Sequence, residues 1–266
     1  MTATTGAHRP LFLDVLKSEW IKLRTVRSSW WCLVGAVTGL MAFAIIGGAV
    51  ANSHYAKLDP VEKLSFEPIS FSLSGGAIAQ MAIAVMGVLF ITGEYSSGLI
   101  RTTFLAVPQR RLVMVAKSVV LALSTYAVTQ VVAFAAFFSG QALLHGTGIA
   151  ARITDPGALR MVIGTGCYLA VTAVFGMGVG CFIRHTGGAV TMVFWLIFVL
   201  PGLLQLVPQG IRDNIYKYLP STSGQALFSL HGDSSTLAPW VGFAVYTAWA
   251  LLLLVGAMAL LTKRDA

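Results

Sequence analysis

Six long apolar stretches run along this chain, and Asp, Glu, Lys and Arg are confined to the segments between them. The stretches cover residues 29–51, 71–93, 118–139, 161–183, 186–208 and 238–262. A helix that crosses the hydrocarbon core of a bilayer, about 30 Å thick, needs about 20 apolar residues. The stretches lack strand-like alternation of apolar and polar residues, so each is predicted to cross the membrane as a helix.

The composition also indicates an integral membrane protein. Hydrophobic residues make up 56% of the chain and charged residues only 11%, whereas soluble domains carry about 25% charged residues. The segments between the stretches are too short for a separate soluble domain. We therefore predict an all-α integral membrane protein with six transmembrane helices, in which residues 28–266 form one membrane domain and residues 1–27 a cytoplasmic tail and interfacial helix.

Residues 11–24 predict an amphipathic helix ahead of the first span. The apolar residues that recur there at helical spacing are Phe12, Leu16, Trp20 and Leu23. Such a helix is expected to lie in the membrane interface, with its apolar side towards the lipid. The alternative is that these residues extend the first transmembrane helix into water.

The distribution of basic residues predicts the orientation. If the N-terminus is cytoplasmic, 12 of the 18 Lys and Arg residues lie inside the cell and 6 lie outside. Cytoplasmic loops carry an excess of Lys and Arg, so both termini are predicted to be cytoplasmic in a multi-pass protein. The basic residues are spread over several short loops, and this argues against a nucleic-acid partner.

Two further features concern the second half of the chain. Pro201 lies within the fifth stretch and is expected to kink that helix. Residues 209–237 are too short and too interrupted by Pro220 and Gly224 to span twice. They predict an outer hairpin of short helices before the sixth span.

Motifs for common catalytic and energy-converting sites are missing from the chain. It contains no GxxxxGK[ST] phosphate loop, no HExxH zinc motif and no GxSxG elbow. We therefore expect no catalytic residue, no metal site and no cofactor bound by this chain.

The interior of the spans is polar only through uncharged side chains. Proton- or sodium-coupled carriers usually need an ionisable group within the membrane, and none lies in the middle of a stretch. The residues considered for a substrate path are Gln80, Thr129, Gln130 and Gln205. The simpler interpretation of each is a hydrogen bond between helices.

The most ordered segment between spans is residues 93–117, GEYSSGLIRTTFLAVPQRRLVMVAK. A break is expected at Gly98 and a stop at Pro108. Between them Ile100, Arg101 and Phe104 follow an amphipathic pattern. This pattern predicts a short helix at the membrane surface that presents one face to a soluble partner.

In this segment the chain resembles the permease subunits of type-2 ATP-binding cassette exporters, particularly the six-span bacterial permeases. The residues that match the family pattern, in order, are Glu94, Tyr95, Gly98, Arg101, Pro108, Arg111, Ala116 and Lys117. Residues 18–31, SEWIKLRTVRSSWW, are similar to the interfacial helix that opens many actinobacterial members. Leu99 departs from the family, which often has Thr at that position.

The resemblance implies a function that residue spacing alone does not establish. Two permease chains, identical or different, would join two ATPase subunits, which bind ATP and Mg, in a bacterial plasma membrane. The complex would export a hydrophobic or amphipathic substrate such as a drug, antibiotic, peptide or lipid-like molecule. A cytoplasmic coupling helix after span two would transmit ATP-driven closure through Glu94, Tyr95, Gly98, Arg101, Pro108 and Arg111.

Glu94 and Arg101 lead to the sharpest hypothesis about this coupling. They are seven residues apart, so they would share one face over two turns if the helix continues through Gly98. Glu94 is then expected near a helix N-terminus and Arg101 against the partner. The alternative is that both residues anchor the segment at the lipid headgroups.

Two other classes of function stay open at this point. A non-transporting membrane scaffold or anchoring subunit would use the same interfacial segments to recruit a cytoplasmic partner. A membrane enzyme that acts on lipid would need a polar or metal-binding cluster at headgroup depth, and the sequence does not reveal one.

Overall fold

The computed structural model describes residues 12–55, 59, 67–145, 148–228 and 236–263. Six of the helices in these ranges are long and apolar enough to cross a membrane. The prediction of an all-α membrane protein with six spans is therefore confirmed. The first part of the predicted N-terminal tail, residues 1–11, lies outside the described residues.

The helices are numbered in chain order. Their bounds are α1 Phe12–Thr25, α2 Arg27–Tyr55, α3 Pro68–Ser72, α4 Gly76–Ser96, α5 Leu99–Ala106, α6 Arg110–Leu144, α7 Ala158–Ile183, α8 Thr186–Phe194, α9 Leu200–Leu204, α10 Gln209–Tyr216, α11 Pro220–Gln225 and α12 Pro239–Lys263. The spans are α2, α4, α6, α7, the segment from α8 to α9, and α12.

The first helix is separate from the first span, as the amphipathic pattern predicted. Val26 interrupts the helix between α1 and α2, so the alternative of one continuous helix is wrong. The expectation that the apolar side of α1 faces lipid is wrong for Leu23, which is buried in the protein. Val15, Glu19 and Leu23 are buried on the protein side, whereas Trp20 stays 45% exposed.

The centre of the bundle is formed by α4 and α7, which pack closely because small residues line their contact. A Cβ atom added at Gly87 would collide with the carbonyl oxygen of Ala173. One added at Gly176 would collide with the carbonyl oxygen of Ala84. These two helices therefore approach backbone to backbone, as small residues permit in membrane bundles.

Around this pair, the outer helices keep large apolar side chains on the surface. Trp31 on α2 is 74% exposed and Leu252 on α12 is 66% exposed. Such surfaces are unfavourable in water but match the hydrocarbon of a bilayer. The fold thus buries its polar groups between helices and exposes apolar ones outward.

The fifth span is irregular, as the proline within it predicted. It begins as α8 after a tight turn in which Arg184 has a φ of 58°. A π-helical segment, Trp195–Val199, then precedes α9, where Pro201 lies. Pro201 has no N–H to donate, so the local hydrogen-bond pattern cannot stay purely α-helical.

Different helices lie at the two ends of the bundle. At the α1 end lie α1, α5, the last turns of α4 and α12, and the first turn of α6, where Arg110 donates a 2.6 Å hydrogen bond to the carbonyl oxygen of Leu261. At the opposite end lie α3, α11 and the first turns of α4 and α7. The described part of the predicted hairpin contains short helices, α10 and α11, and residues 229–235 of it lie outside the described residues.

Candidate functional site

Four charged side chains at the α1 end form a compact group, called here the ion cluster: Glu19, Lys22, Glu94 and Lys117. Lys117 Nζ lies 2.5 Å from Glu19 Oε2 and 2.8 Å from Glu94 Oε1. Lys22 Nζ lies 2.7 Å from Glu19 Oε1 and 3.1 Å from Glu94 Oε1. Two ammonium groups thus balance two carboxylates, and each ammonium contacts both carboxylates.

The ion cluster is buried at its centre. The side chains of Glu19 and Lys117 are 0% exposed, and Lys117 Nζ lies 4.3 Å from the centre of the Phe90 ring. Removing charges from water is costly, so the pairing and the aromatic face must offset that cost. Burial lowers the pKa of Lys22, but the hydrogen bond to Glu19 and the charge of Glu94 outweigh it, so the pKa lies above its ordinary value.

The ion cluster ties together segments that are distant in the sequence. Glu19 and Lys22 come from α1, Glu94 from the last turn of α4, and Lys117 from the third turn of α6. Lys22 Nζ also donates a 3.2 Å hydrogen bond to Thr103 Oγ1 of α5. The interfacial helix, two spans and the short connecting helix are therefore joined by one set of charges.

The short helix α5 has one buried and one open side. Ile100 and Phe104 are buried against the bundle, and the guanidinium of Arg110 lies 5.4 Å from the centre of the Phe104 ring. On the other side Arg101 is exposed and Leu105 is 82% exposed. The predicted short helix after span two is thus present, with one apolar face docked and a mixed face free among the described residues.

The hypothesis that Glu94 and Arg101 share one helical face is wrong. Gly98 has a φ of 72°, a left-handed conformation that ends α4 at Ser96 and starts α5 at Leu99. Glu94 also lies in the last turn of a helix and not near an N-terminus, and its pairing with Lys117 offsets the unfavourable helix dipole there. Glu94 is buried, whereas Arg101 is exposed.

The other predicted coupling residues occupy distinct places around α5. Tyr95 is partly buried, and the guanidinium of Arg184 lies 5.2 Å from the centre of its ring. Pro108 stands in the non-helical link between α5 and α6, and Arg111 is exposed in the first turn of α6. A role of these residues in coupling stays a prediction.

At the opposite end, the bundle contains a partly open cavity of about 420 Å³, called here the polar cavity. Its walls come from α3, α4, α7, α11 and the turn that follows α11. The side chains that give it polar character are Ser70, Ser74, Gln80, Thr165, Tyr168 and Gln225. All six are uncharged, and the rest of the lining consists of apolar residues and Gly76.

The four residues considered for a substrate path are not brought together. Gln80 lines the polar cavity. Thr129 is buried and donates to a backbone oxygen of its own helix, and Gln130 Nε2 donates a 3.3 Å hydrogen bond to the carbonyl oxygen of Val162. Gln205 is exposed beyond α9. Gln130 thus joins α6 to α7, whereas Gln80 remains the residue of interest for a ligand.

The sequence reasoning missed Glu19 and did not show that Lys117 is buried and paired. Lys117 adjoins the apolar stretch at 118–139 and was considered only as a motif residue, whereas its side chain is 0% exposed within α6. Glu19 stands four residues from both Val15 and Leu23, which are buried beside it. That spacing was the available signal, because it places the carboxylate on the packed face of α1.

No protein-family model matches the chain, and no curated protein matches it. The likeness to exporter permeases therefore rests on the motif residues and on the six-span architecture. Within the described ranges, no three His, Cys, Asp or Glu side chains are grouped as metal ligands would be.

Proposed function

We propose that this chain is the membrane-spanning permease subunit of an ATP-driven exporter, paired with a separate ATPase subunit and a second permease chain. The ATPase would dock at the α1 end, which would face the cytoplasm in a bacterial plasma membrane. The substrate would be hydrophobic or amphipathic. The six-span architecture and the matching motif around α5 support this proposal.

The observation that carries the proposal is the two-sided character of α5. Its inner face is fixed by Ile100 and Phe104, and its outer face combines the exposed Arg101 with the 82% exposed Leu105. A charged residue and a large apolar one, adjacent on a short rigid helix, are suited to contact a protein surface. Because α5 is joined to α4 and α6, a displacement of α5 would be transmitted directly to these two spans.

The ion cluster supports the same proposal in a different way. Through Thr103, Lys22 and Lys117 it connects α5 to α1, α4 and α6. A force applied at α5 would then move these elements together instead of bending a loose loop. We place Glu94 in this internal link, and Arg101 at the contact with the partner.

The experiment is reconstitution in proteoliposomes with and without a candidate ATPase subunit. Since the chain has no phosphate loop, the purified chain alone is expected to show no ATP hydrolysis. The two subunits together are expected to hydrolyse ATP at a rate that depends on both. A partner that binds without any coupled hydrolysis would favour the scaffold alternative, and robust hydrolysis by the isolated chain would refute the permease proposal.

The orientation is tested separately with reporter fusions. A reporter inserted at Gln109, between α5 and α6, is expected to be cytoplasmic, and one inserted at Gln209, at the start of α10, external. An external signal at Gln109 would place α5 out of reach of any cytoplasmic ATPase.

A further inference from the structure

Two polar atoms on side chains that line the polar cavity have no hydrogen-bond partner among the described residues. They are the amide nitrogen Nε2 of Gln80 and the hydroxyl of Tyr168, on side chains of residues that are 1% and 3% exposed. The side chains of Gln80 and Gln225 lie beside the Tyr168 hydroxyl, but neither forms a hydrogen bond of acceptable geometry with it. Both unpaired groups come from central helices, α4 and α7.

Unpaired buried donors of this kind need a physical explanation. Buried polar groups in folded proteins are nearly always paired, and leaving one unpaired costs roughly 1–3 kcal/mol. Apolar side chains at positions 80 and 168 would avoid this cost. The donors therefore indicate an occupant, either ordered water or a ligand that accepts hydrogen bonds.

The size and lining of the cavity favour a ligand over water alone. Its volume of about 420 Å³ falls within the range of roughly 300–1,000 Å³ that is usual for small-molecule sites. Apolar walls from Leu73, Met161 and Leu169 surround the few polar groups. An apolar pocket with a small number of convergent polar groups is the usual composition of a ligand site.

The absence of charge in the lining restricts the class of ligand. Among the described residues that line the polar cavity there is no Asp, Glu, Lys or Arg. A charged ligand would lose its hydration there without gaining a counter-charge. A neutral molecule with one hydroxyl or carbonyl group would pair with the donors and leave its apolar part against the walls.

We propose that the polar cavity is a binding site for a small uncharged amphipathic molecule, whose hydroxyl or carbonyl oxygen accepts hydrogen bonds from Gln80 and Tyr168. Binding at this site needs neither ATP nor a partner subunit, so the inference does not depend on the exporter proposal. The expected ligands are medium-chain alcohols and related neutral molecules.

The test uses photolabelling of the purified full-length chain with a diazirine derivative of 1-octanol. After illumination, mass spectrometry is expected to find the label in peptides that contain residues 70–80, 161–169 or 225–228. Unmodified 1-octanol is expected to compete for this labelling, whereas octanoate and octylammonium are not. Label found only outside these peptides, or competition equally strong with the charged compounds, would overturn the proposal.

A cavity-filling variant provides the matched control. Gly76 lines the polar cavity, and a Cβ atom added there meets no atom within 4 Å, so G76L would fill the space without a clash in its first atom. Gly202 has equally open space but is not among the lining residues. G76L is expected to lower labelling at least about fivefold and G202L to leave it unchanged. Equal labelling of both variants would contradict the assignment.

The polar part of the proposal is tested by the double variant Q80L/Y168F, which removes both donors and keeps similar side-chain volumes. In the wild type, unmodified 1-octanol is expected to block labelling by the diazirine probe at a concentration roughly tenfold or more below that needed for octane. In the double variant this preference is expected to disappear while octane still binds. A preference that survives the double substitution would show that other groups recognise the ligand.

Discussion

The two ends of this bundle differ in the kind of polar group that they bury and in how those groups are paired. At the α1 end, four charged groups are paired at distances of 2.5–3.1 Å, and two of them, on Glu19 and Lys117, are fully buried. At the opposite end, the described lining of a cavity of about 420 Å³ is neutral, and two donors there have no partner among the described residues. The charges at the first end pair with one another, whereas the cavity at the second end has room for a ligand.

The contrast indicates where rigidity and where recognition are needed. A buried ion pair is weak evidence for stability but is costly to break, so it fixes the register of the elements that it joins. Unpaired neutral donors do the reverse, because they lower stability slightly and gain only when something binds. Substitutions at the two ends should therefore change the free energy of unfolding by different amounts and in opposite directions.

The largest effect is expected for K117M. Removing the ammonium leaves Glu19 and Glu94 buried with Lys22 as their only partner in the ion cluster. Breaking a buried pair in this way typically costs about 3–5 kcal/mol. The free energy of unfolding can be measured by titration with SDS in mixed micelles, followed by tryptophan fluorescence.

The control is R111M, six residues earlier in the same helix. Arg111 is exposed in the first turn of α6, so its substitution is expected to change the free energy of unfolding by about 0.5 kcal/mol or less. If K117M were as stable as R111M, the ion cluster would not hold this end together.

A smaller effect is expected from the double variant E19Q/K117M. It removes one negative and one positive charge together, and Lys22 and Glu94 remain as a pair 3.1 Å apart. Because the residues share one network, the double variant should recover about 1–2 kcal/mol relative to the sum of the two single variants. The four proteins are compared in one double-mutant cycle, and simple additivity would show that Glu19 and Lys117 do not act as a pair.

The smallest effect is expected at the opposite end, from Y168F. The hydroxyl it removes has no hydrogen-bond partner, so the free energy of unfolding should stay the same or rise slightly. The neighbouring Y246F is the matched comparison, because the Tyr246 hydroxyl donates a 2.9 Å hydrogen bond to Thr172. Its loss should cost about 0.5–1.5 kcal/mol. Equal losses in both variants would mean that the Tyr168 hydroxyl is paired after all.

The number of spans and the short helices could be predicted from the sequence because they depend on local patterns. The apolar stretches predicted the spans, and the segment from Gly98 to Pro108 predicted α5 and its two ends. The sequence predicts a break at Gly98 but not the left-handed backbone there, and the hypothesis of a shared face for Glu94 and Arg101 required the helix to continue through this residue. A single residue in that conformation separated their environments.

The sites were harder to predict because they depend on contacts between distant segments. Lys117 and Glu19 are 98 positions apart in the chain and meet only when α1 packs on α6. Counting charges outside the apolar stretches could not show that these two are buried. Gln80 was recognised as polar within a span, but its unpaired state depends on what α7 and α11 place around it.

The exporter proposal depends most directly on the exposed face of α5. Leu105 and Leu206 are matched for a test, since they are 82% and 83% exposed and lie at opposite ends of the bundle. Neither is part of the packed interior, so L105D and L206D are both expected to fold with wild-type thermal stability.

The decisive measurement is ATP hydrolysis by this chain reconstituted with the proposed ATPase subunit, for these two variants at equal protein abundance. We expect L105D to lose the permease-dependent hydrolysis at least about tenfold, because a buried Asp would disrupt the contact with the ATPase. We expect L206D to hydrolyse ATP at the wild-type rate. Normal hydrolysis by the well-folded L105D protein would contradict the assignment of α5 as the coupling helix.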